Sequence, residues 1–234
     1  MTNSDASNND KSSMCGRILN QQVISHWEAI QKRLARKVIQ KDSFEYPPKL
    51  VAGVDVAYLG NEAFSAAVVL DNKTLRLVEK QVDRSIVSVP YIPSYLAFRE
   101  VPLLTNVIRK LKQKADVFLV NAHGVAHPLR CGCASHLGVV LDIPTIGVAK
   151  RILSGKISES EQGEIRYLRD GNEVIGATLM TRGGSNPIFV SVGHKVSLTS
   201  AIGIVQGTLK EARLPEPLEQ AHRLSNESRK ENHK

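Results

Sequence analysis

No stretch of this 234-residue chain approaches the roughly 20 consecutive apolar residues that a membrane-crossing helix needs. The first residues, MTNSDASNNDKSS, hold no apolar core of the kind a secretion signal uses. Export and membrane insertion are therefore both disfavoured. Cysteine is scarce: Cys15, Cys131 and Cys133 make an odd set, and Cys131-Gly-Cys133 is too tight for a zinc knuckle. Reduced thiols in a cytoplasmic protein are the expectation. Acidic residues are also in deficit, 23 against 31 Lys and Arg, which leaves a net charge of +8. That excess favours a polyanionic partner, whether nucleic acid, an anionic membrane surface or an acidic protein. With 42% hydrophobic and 23% charged residues, disorder is excluded for most of the length.

The polar stretch 1–13 reads as a disordered arm, 14–224 as a single domain, and 225–234 as a basic polar tail. Apolar residues at helical spacing (Ile18, Val23, Trp27, Ile30, Leu34, Val38) predict a first helix over 18–39. The run LVAGVDVAYL over 50–59 is apolar on both faces except for Asp55, as a central buried strand requires. Strands are predicted at 64–70 and 74–80, joined by a turn at Asp71-Asn72-Lys73, and again at 116–120, 145–148, 173–181 and 188–192. Helices are predicted at 94–112, 134–141 and 197–212, with a final segment opening at Leu214-Pro-Glu-Pro217. Strands in mixed order with helices between them give an α/β fold built on a mixed sheet.

Asp55 is the first chemical anomaly. A carboxylate inside a central strand is costly unless it is paired or metal-bound. It is either a satisfied structural group or a metal ligand or acid/base held on a rigid strand. Glu100, on the helix that opens after Pro90–Ser94, is either a solvated helical residue or a second carboxylate for a hard cation. The segment VNAHGVAHPLRCGCASHLG holds His123, His127 and His136, whose spacings of four and nine match no standard zinc pattern. Local capping is the competing role for these histidines.

GVDVAY (53–58), PYIPSYLAFRE (90–100), HGVAHP (123–128), ASHLGV (134–139), PTIGVAK (144–150), VSVGH (190–194) and LPEPLEQAH (214–222) resemble, in this order, the endonuclease V family of deoxyinosine-directed nucleases. The resemblance covers about residues 18–224. It implies a ribonuclease H-like α/β fold, with a central mixed sheet flanked by helices. It also implies Mg²⁺-dependent hydrolysis, with Mn²⁺ as a substitute, of the second phosphodiester 3′ to deoxyinosine, leaving 3′-hydroxyl and 5′-phosphate ends. Carried over by position, Asp55 and Glu100 are metal carboxylates, Lys150 stabilises charge on the scissile phosphate, and His222 stands near the metal. Tyr91, Ile92 and Pro93 form a strand-separating wedge. Leu96, Gly124, Gly132 and Leu153 line a pocket for the flipped base, and Arg99 and His127 support the site. The implied partner is DNA carrying deaminated bases, with inosine-containing RNA as a second class, acted on by a cytoplasmic monomer.

One segment departs from the family. Where members usually show Asp-Gly-(His, Gln or Asn)-Gly, this chain has Asn121-Ala122-His123-Gly124. The third metal carboxylate is thereby replaced by a neutral amide, which weakens attraction for Mg²⁺. Two readings stand: a working DNA-repair endonuclease, and a catalytically weakened protein of the same fold that binds inosine lesions. Lys and Arg of the first helix, of the end of the Glu100 helix and of the C-terminal tail are expected to contact phosphates without regard to sequence.

Overall fold

Nearly unbroken apolar runs in three adjacent strands build the centre of the molecule. The computed structural model describes residues 8–158, 165–181 and 186–231. Its elements run α1 (Asn8–Ala35), β1 (Leu50–Leu59), β2 (Glu62–Asp71), β3 (Leu77–Ile86), α2 (Leu96–Arg109), β4 (Val117–Val120), α3 (Cys133–Leu141), β5 (Thr145–Ala149) and β6 (Lys156–Ile157). They continue with β7 (Ile165–Asp170), β8 (Glu173–Leu179), β9 (Ile188–His194), α4 (Leu198–Gly207) and α5 (Glu216–Glu231). The strands form one nine-stranded sheet in the order β3-β2-β1-β4-β5-β9-β8-β7-β6. β1, β4 and β5 run parallel at its middle, and every other pairing is antiparallel.

Ala52 and Val54 of β1 and Phe118 and Val120 of β4 face α2 and α3, where Val101, Leu104 and Leu137 close one core. Val51, Val117, Leu119, Ile146 and Val148 point the other way, into a core completed by Ile202 and Val205 of α4 and Leu218 of α5. Both faces of the three parallel strands are thus covered, which is why their sequences are almost wholly apolar. The β1 and β4 register sets Val54 opposite Val120, so Asp55, midway along β1, meets Asn121, the first residue past the carboxyl end of β4. Among the described residues no helix is long and apolar enough to cross a membrane.

Several boundaries differ from the sequence-based expectation. β3 occupies Leu77–Ile86 rather than 74–80, because Thr74 closes the preceding turn: its N–H and hydroxyl both donate to Asp71 Oδ1 at 2.7 Å. β7 was not anticipated, and the helix expected over 197–212 stops at Gly207. Residues 8–13, assigned to the arm, already belong to α1, and residues 1–7 lie outside the described ones. Residues 225–231, assigned to the tail, continue α5, with Ser225 fully buried.

His136 of α3 is 8% exposed, with its ring edge-on to Phe98 at 5.2 Å and its Nδ1 lacking a partner. Burial pushes its pKa down to about 4, so it remains neutral in the fold at pH values where the unfolded chain takes up a proton. The stability it supports is present above about pH 6.5 and is lost as pH falls from there towards 4, by up to about 3 kcal/mol. His136→Phe keeps the ring contact and removes the titration. Thermal melts between pH 7 and 4 should then fall less steeply, by about one proton's worth of slope. An unchanged slope would exclude His136 as the group responsible.

Candidate functional site

The site begins where β1 leaves the core. Asp55 is only 8% exposed, yet both carboxylate oxygens are occupied. Oδ1 accepts from Asn121 Nδ2 at 2.9 Å, and Oδ2 bonds His222 Nδ1 at 2.7 Å and accepts more distantly from Ser225 Oγ at 3.4 Å. His222 and Ser225 stand one helical turn apart on α5, which lies along β1 and β2. Gly53 makes that approach feasible, since a Cβ there would run into the carbonyl of Pro217. The hydrogen bond to Asp55 holds the His222 pKa above its ordinary value.

Glu100 enters from α2 and accepts from Tyr58 Oη at 3.2 Å. Burial, and secondarily the negative charge of Asp55, push its pKa up to about 8. Two carboxylates therefore share one site, and the positive charge of Arg99 offsets only part of the burial and repulsion that act on Glu100. Arg99 lies over the Tyr58 ring at 4.2 Å and donates to the carbonyl of Val89, which couples the Glu100 helix to the segment leading into Tyr91.

A cavity of about 380 Å³ opens beside this pair. Leu96, Gly132 and Leu153 line it as expected, together with Ala122 and His123, and Tyr91 and Pro93 stand at its mouth. Tyr91 is 66% exposed, as a wedge requires, and Ile92 between them is half-buried. Asn121 and Lys150 belong to the same wall, so the cavity and the acid pair share a boundary. The positive charge of Lys150 also reaches His222. Gly124 does not line the cavity. It sits one layer behind, its N–H donating to Ser191 Oγ at 2.9 Å and its carbonyl accepting from Gly132 N–H at 2.9 Å. A Cβ on Gly132 would collide with the His123 and Gly124 carbonyls. Gly132→Ala should therefore lower stability by about 1–3 kcal/mol, measured by thermal melting, and displace the cavity floor.

The three histidines do not assemble a zinc site: among the described residues no group of three or more His, Cys, Asp or Glu is arranged to hold a metal. His127 accepts from Leu129 N–H through Nδ1, so Nε2 carries the proton and donates to the Ser94 carbonyl at 2.8 Å. It supports the base of the wedge. Gln31, which the sequence did not single out, does so from α1, donating to the carbonyls of Ser94 and Cys131. Tyr95 is held from the same helix by Glu28 at 2.8 Å, and Trp27 stacks on Phe98 at 4.6 Å. Tyr58, Ser225 and Asn226, the last donating to the His222 carbonyl, were also missed. Tyr58 carried a signal in its place within GVDVAY. Ser225 carried one in its spacing of three from His222.

Some of the basic residues expected to contact phosphates are engaged in ion pairs within the chain. Lys110, near the end of α2, pairs with Asp83 at 2.7 Å, about 15 Å of helix away from Glu100. Lys32 pairs with Glu28, and Arg223 with Glu219. A larger cavity, about 570 Å³, lies at the opposite ends of the strands beside Lys49, Asp116 and Lys195, and contains none of the expected residues.

A sequence model of Endonuclease V matches residues 32–223. An Endonuclease V from Thermofilum pendens is 45% identical over 193 residues, covering 82% of this chain and 83% of its own. One from Dictyoglomus thermophilum is 40% identical, covering 82% and 85%. The crystal structure of Ciona intestinalis Endonuclease V, in complex with a 24mer DNA containing an inosine followed by a ribo-adenosine, superimposes with a TM-score of 0.83 at 33% identity, covering 90% of this chain and 99% of that one. With the matched region spanning every element from the end of α1 into α5, the chain belongs to the Endonuclease V family.

Proposed function

We propose that this protein is a DNA-repair endonuclease that takes a deaminated base, chiefly hypoxanthine, into the cavity beside Leu96 and Gly132. It hydrolyses the second phosphodiester 3′ to that nucleotide, leaving 3′-hydroxyl and 5′-phosphate ends. The observation that carries the proposal is the shared wall: Asn121 lines the cavity and also bonds Asp55. Binding a base and acting on a nearby phosphate are thus coupled in space.

The donor set suits a hard divalent cation. Asp55 and Glu100 are oxygen ligands whose charges repel, and Mg²⁺ needs few protein carboxylates because it keeps its waters. Those two residues would hold Mg²⁺, with Mn²⁺ as a substitute. When bound, the cation supplies positive charge to the phosphodiester as negative charge builds on its oxygens. Lys150 adds a second positive charge from the cavity side. His222, oriented through Nδ1 by Asp55, has Nε2 left to move a proton. Tyr91 fills the gap a flipped base leaves, while Arg99 and His127 fix the segment that carries it.

A second reading has Asn121 in its favour: with one carboxylate fewer, the protein binds inosine lesions and cuts them poorly. A nicking assay on a labelled inosine duplex, with Mg²⁺ and with Mn²⁺, separates the two. A single product ending one nucleotide beyond the inosine supports the enzyme. Tight, salt-dependent binding without product supports the lesion-binding protein. An inosine-containing RNA of the same sequence tests the second substrate class.

A further inference from the structure

The guanidinium of Arg213 occupies an unusual position for a charged group. It lies in the link between α4 and α5, and Nη2 donates to two main-chain carbonyls, of Lys150 at 2.7 Å and of Pro187 at 2.9 Å. Its Nε is buried without a partner, and among the described residues no carboxylate pairs with it. Stability alone would favour a smaller neutral donor here, because burying part of an unpaired cation against neutral acceptors is costly. What the contact achieves is geometric. The Lys150 carbonyl anchors the loop that holds Lys150 and the cavity residue Leu153, and three residues beyond Arg213 the chain enters α5, which carries His222 to Asp55.

We propose that Arg213 is a positioning residue: its Nη2, shared between the Lys150 and Pro187 carbonyls, fixes the Lys150 loop relative to the His222 helix. The Lys150 side of the site and the Asp55 side are thereby kept in one geometry. The inference rests on the proposed role of Lys150 at the scissile phosphate. Arg213 itself touches no reacting atom.

The test uses the full chain carrying Arg213→Gln, which loses both charge and reach, and Arg213→Lys, which keeps the charge but loses the planar guanidinium that aims two N–H bonds at the two carbonyls. Saturating single-turnover nicking of an inosine duplex should slow by about 30-fold in Arg213→Gln, with half-saturating protein concentration within about threefold of wild type. Arg213→Lys should fall between the two. In a Lys150→Ala background, Arg213→Gln should cost less than about threefold more, since the group it positions is gone. Amide hydrogen exchange should quicken over residues 150–155 and stay unchanged over 218–225. Wild-type rates in Arg213→Gln, the same loss with or without Lys150, or exchange that quickens throughout the domain would each overturn the assignment. If the wild-type protein does not nick inosine DNA, the proposed function fails by itself. The exchange pattern then decides Arg213 alone: faster exchange confined to 150–155 upholds the positioning role, and unchanged exchange removes it.

Discussion

Asp55→Ala is expected to leave a folded protein that binds an inosine duplex with wild-type affinity, within about threefold, and nicks it at least about 10³-fold more slowly. Asp55 is the hub of the site: Asn121, His222 and Ser225 all bond its carboxylate, and its charge acts on Glu100. Removing it takes away one of two candidate cation ligands and the acceptor that orients the His222 ring. About 4 kcal/mol of lost transition-state stabilisation corresponds to roughly a thousandfold in rate. The fold should weaken far less. A half-buried Asn121 amide and a partly exposed imidazole lose their partner, worth about 1–3 kcal/mol, while the repulsion with Glu100 disappears. Asp55→Asn separates charge from shape, because it retains the volume and one acceptor. If charge is what matters, it should nick as poorly as Asp55→Ala. Nicking by Asp55→Ala within tenfold of wild type would remove Asp55 from the chemistry.

The same residue shows how far the sequence could be read. A carboxylate amid LVAGVDVAYL stands out because every other residue of that run suits burial on both faces of a sheet, and β1 is such a strand. Its partners could not be read from local pattern: Asn121 is 66 residues away and Ser225 is 170. Their meeting depends on the register of β1 with β4 and on the docking of α5, both long-range outcomes. The motifs that resemble Endonuclease V named Asp55, Glu100, Asn121, Lys150 and His222, and the fold brings their segments to one end of the sheet. Edges were harder. β3 reads VEKQVDRS through its middle, with charges where a buried strand would alternate apolar residues, so its position follows from pairing with β2 rather than from its own pattern. The far half of α5, SNESRKE, offers almost no apolar stripe. It stays helical as the continuation of a turn that buries Leu218, Ala221 and Ser225. Gly124 was placed in the cavity by resemblance, whereas its lack of a side chain serves instead to let β9 approach at Val192.

Asn121→Asp should produce the second large effect, and with opposite signs in the absence and presence of a cation. In the wild-type site, Asn121 Nδ2 donates to Asp55 and so stabilises a buried carboxylate without any metal. An aspartate there replaces a donor by a further carboxylate against Asp55, in a site where Glu100 already resists ionisation. Without cation that substitution should cost about 1–3 kcal/mol, a fall in Tm of about 3–10 °C. With millimolar Mg²⁺ the added charge becomes an added ligand. Tm should then recover by more than Mg²⁺ raises it in the wild type, because binding to the folded state alone stabilises that state. Nicking in Mg²⁺ should rise about tenfold or more, and the gap between Mn²⁺ and Mg²⁺ should narrow. The melting experiment reads cation binding without any turnover. If Asn121→Asp melts like wild type in chelator and gains nothing from Mg²⁺, the cation does not lie against this position. If it gains Mg²⁺ stabilisation but no rate, the neutral amide is no handicap to catalysis. A gain in both would mean that the missing negative charge at the carboxyl end of β4 limits cutting by the wild-type protein.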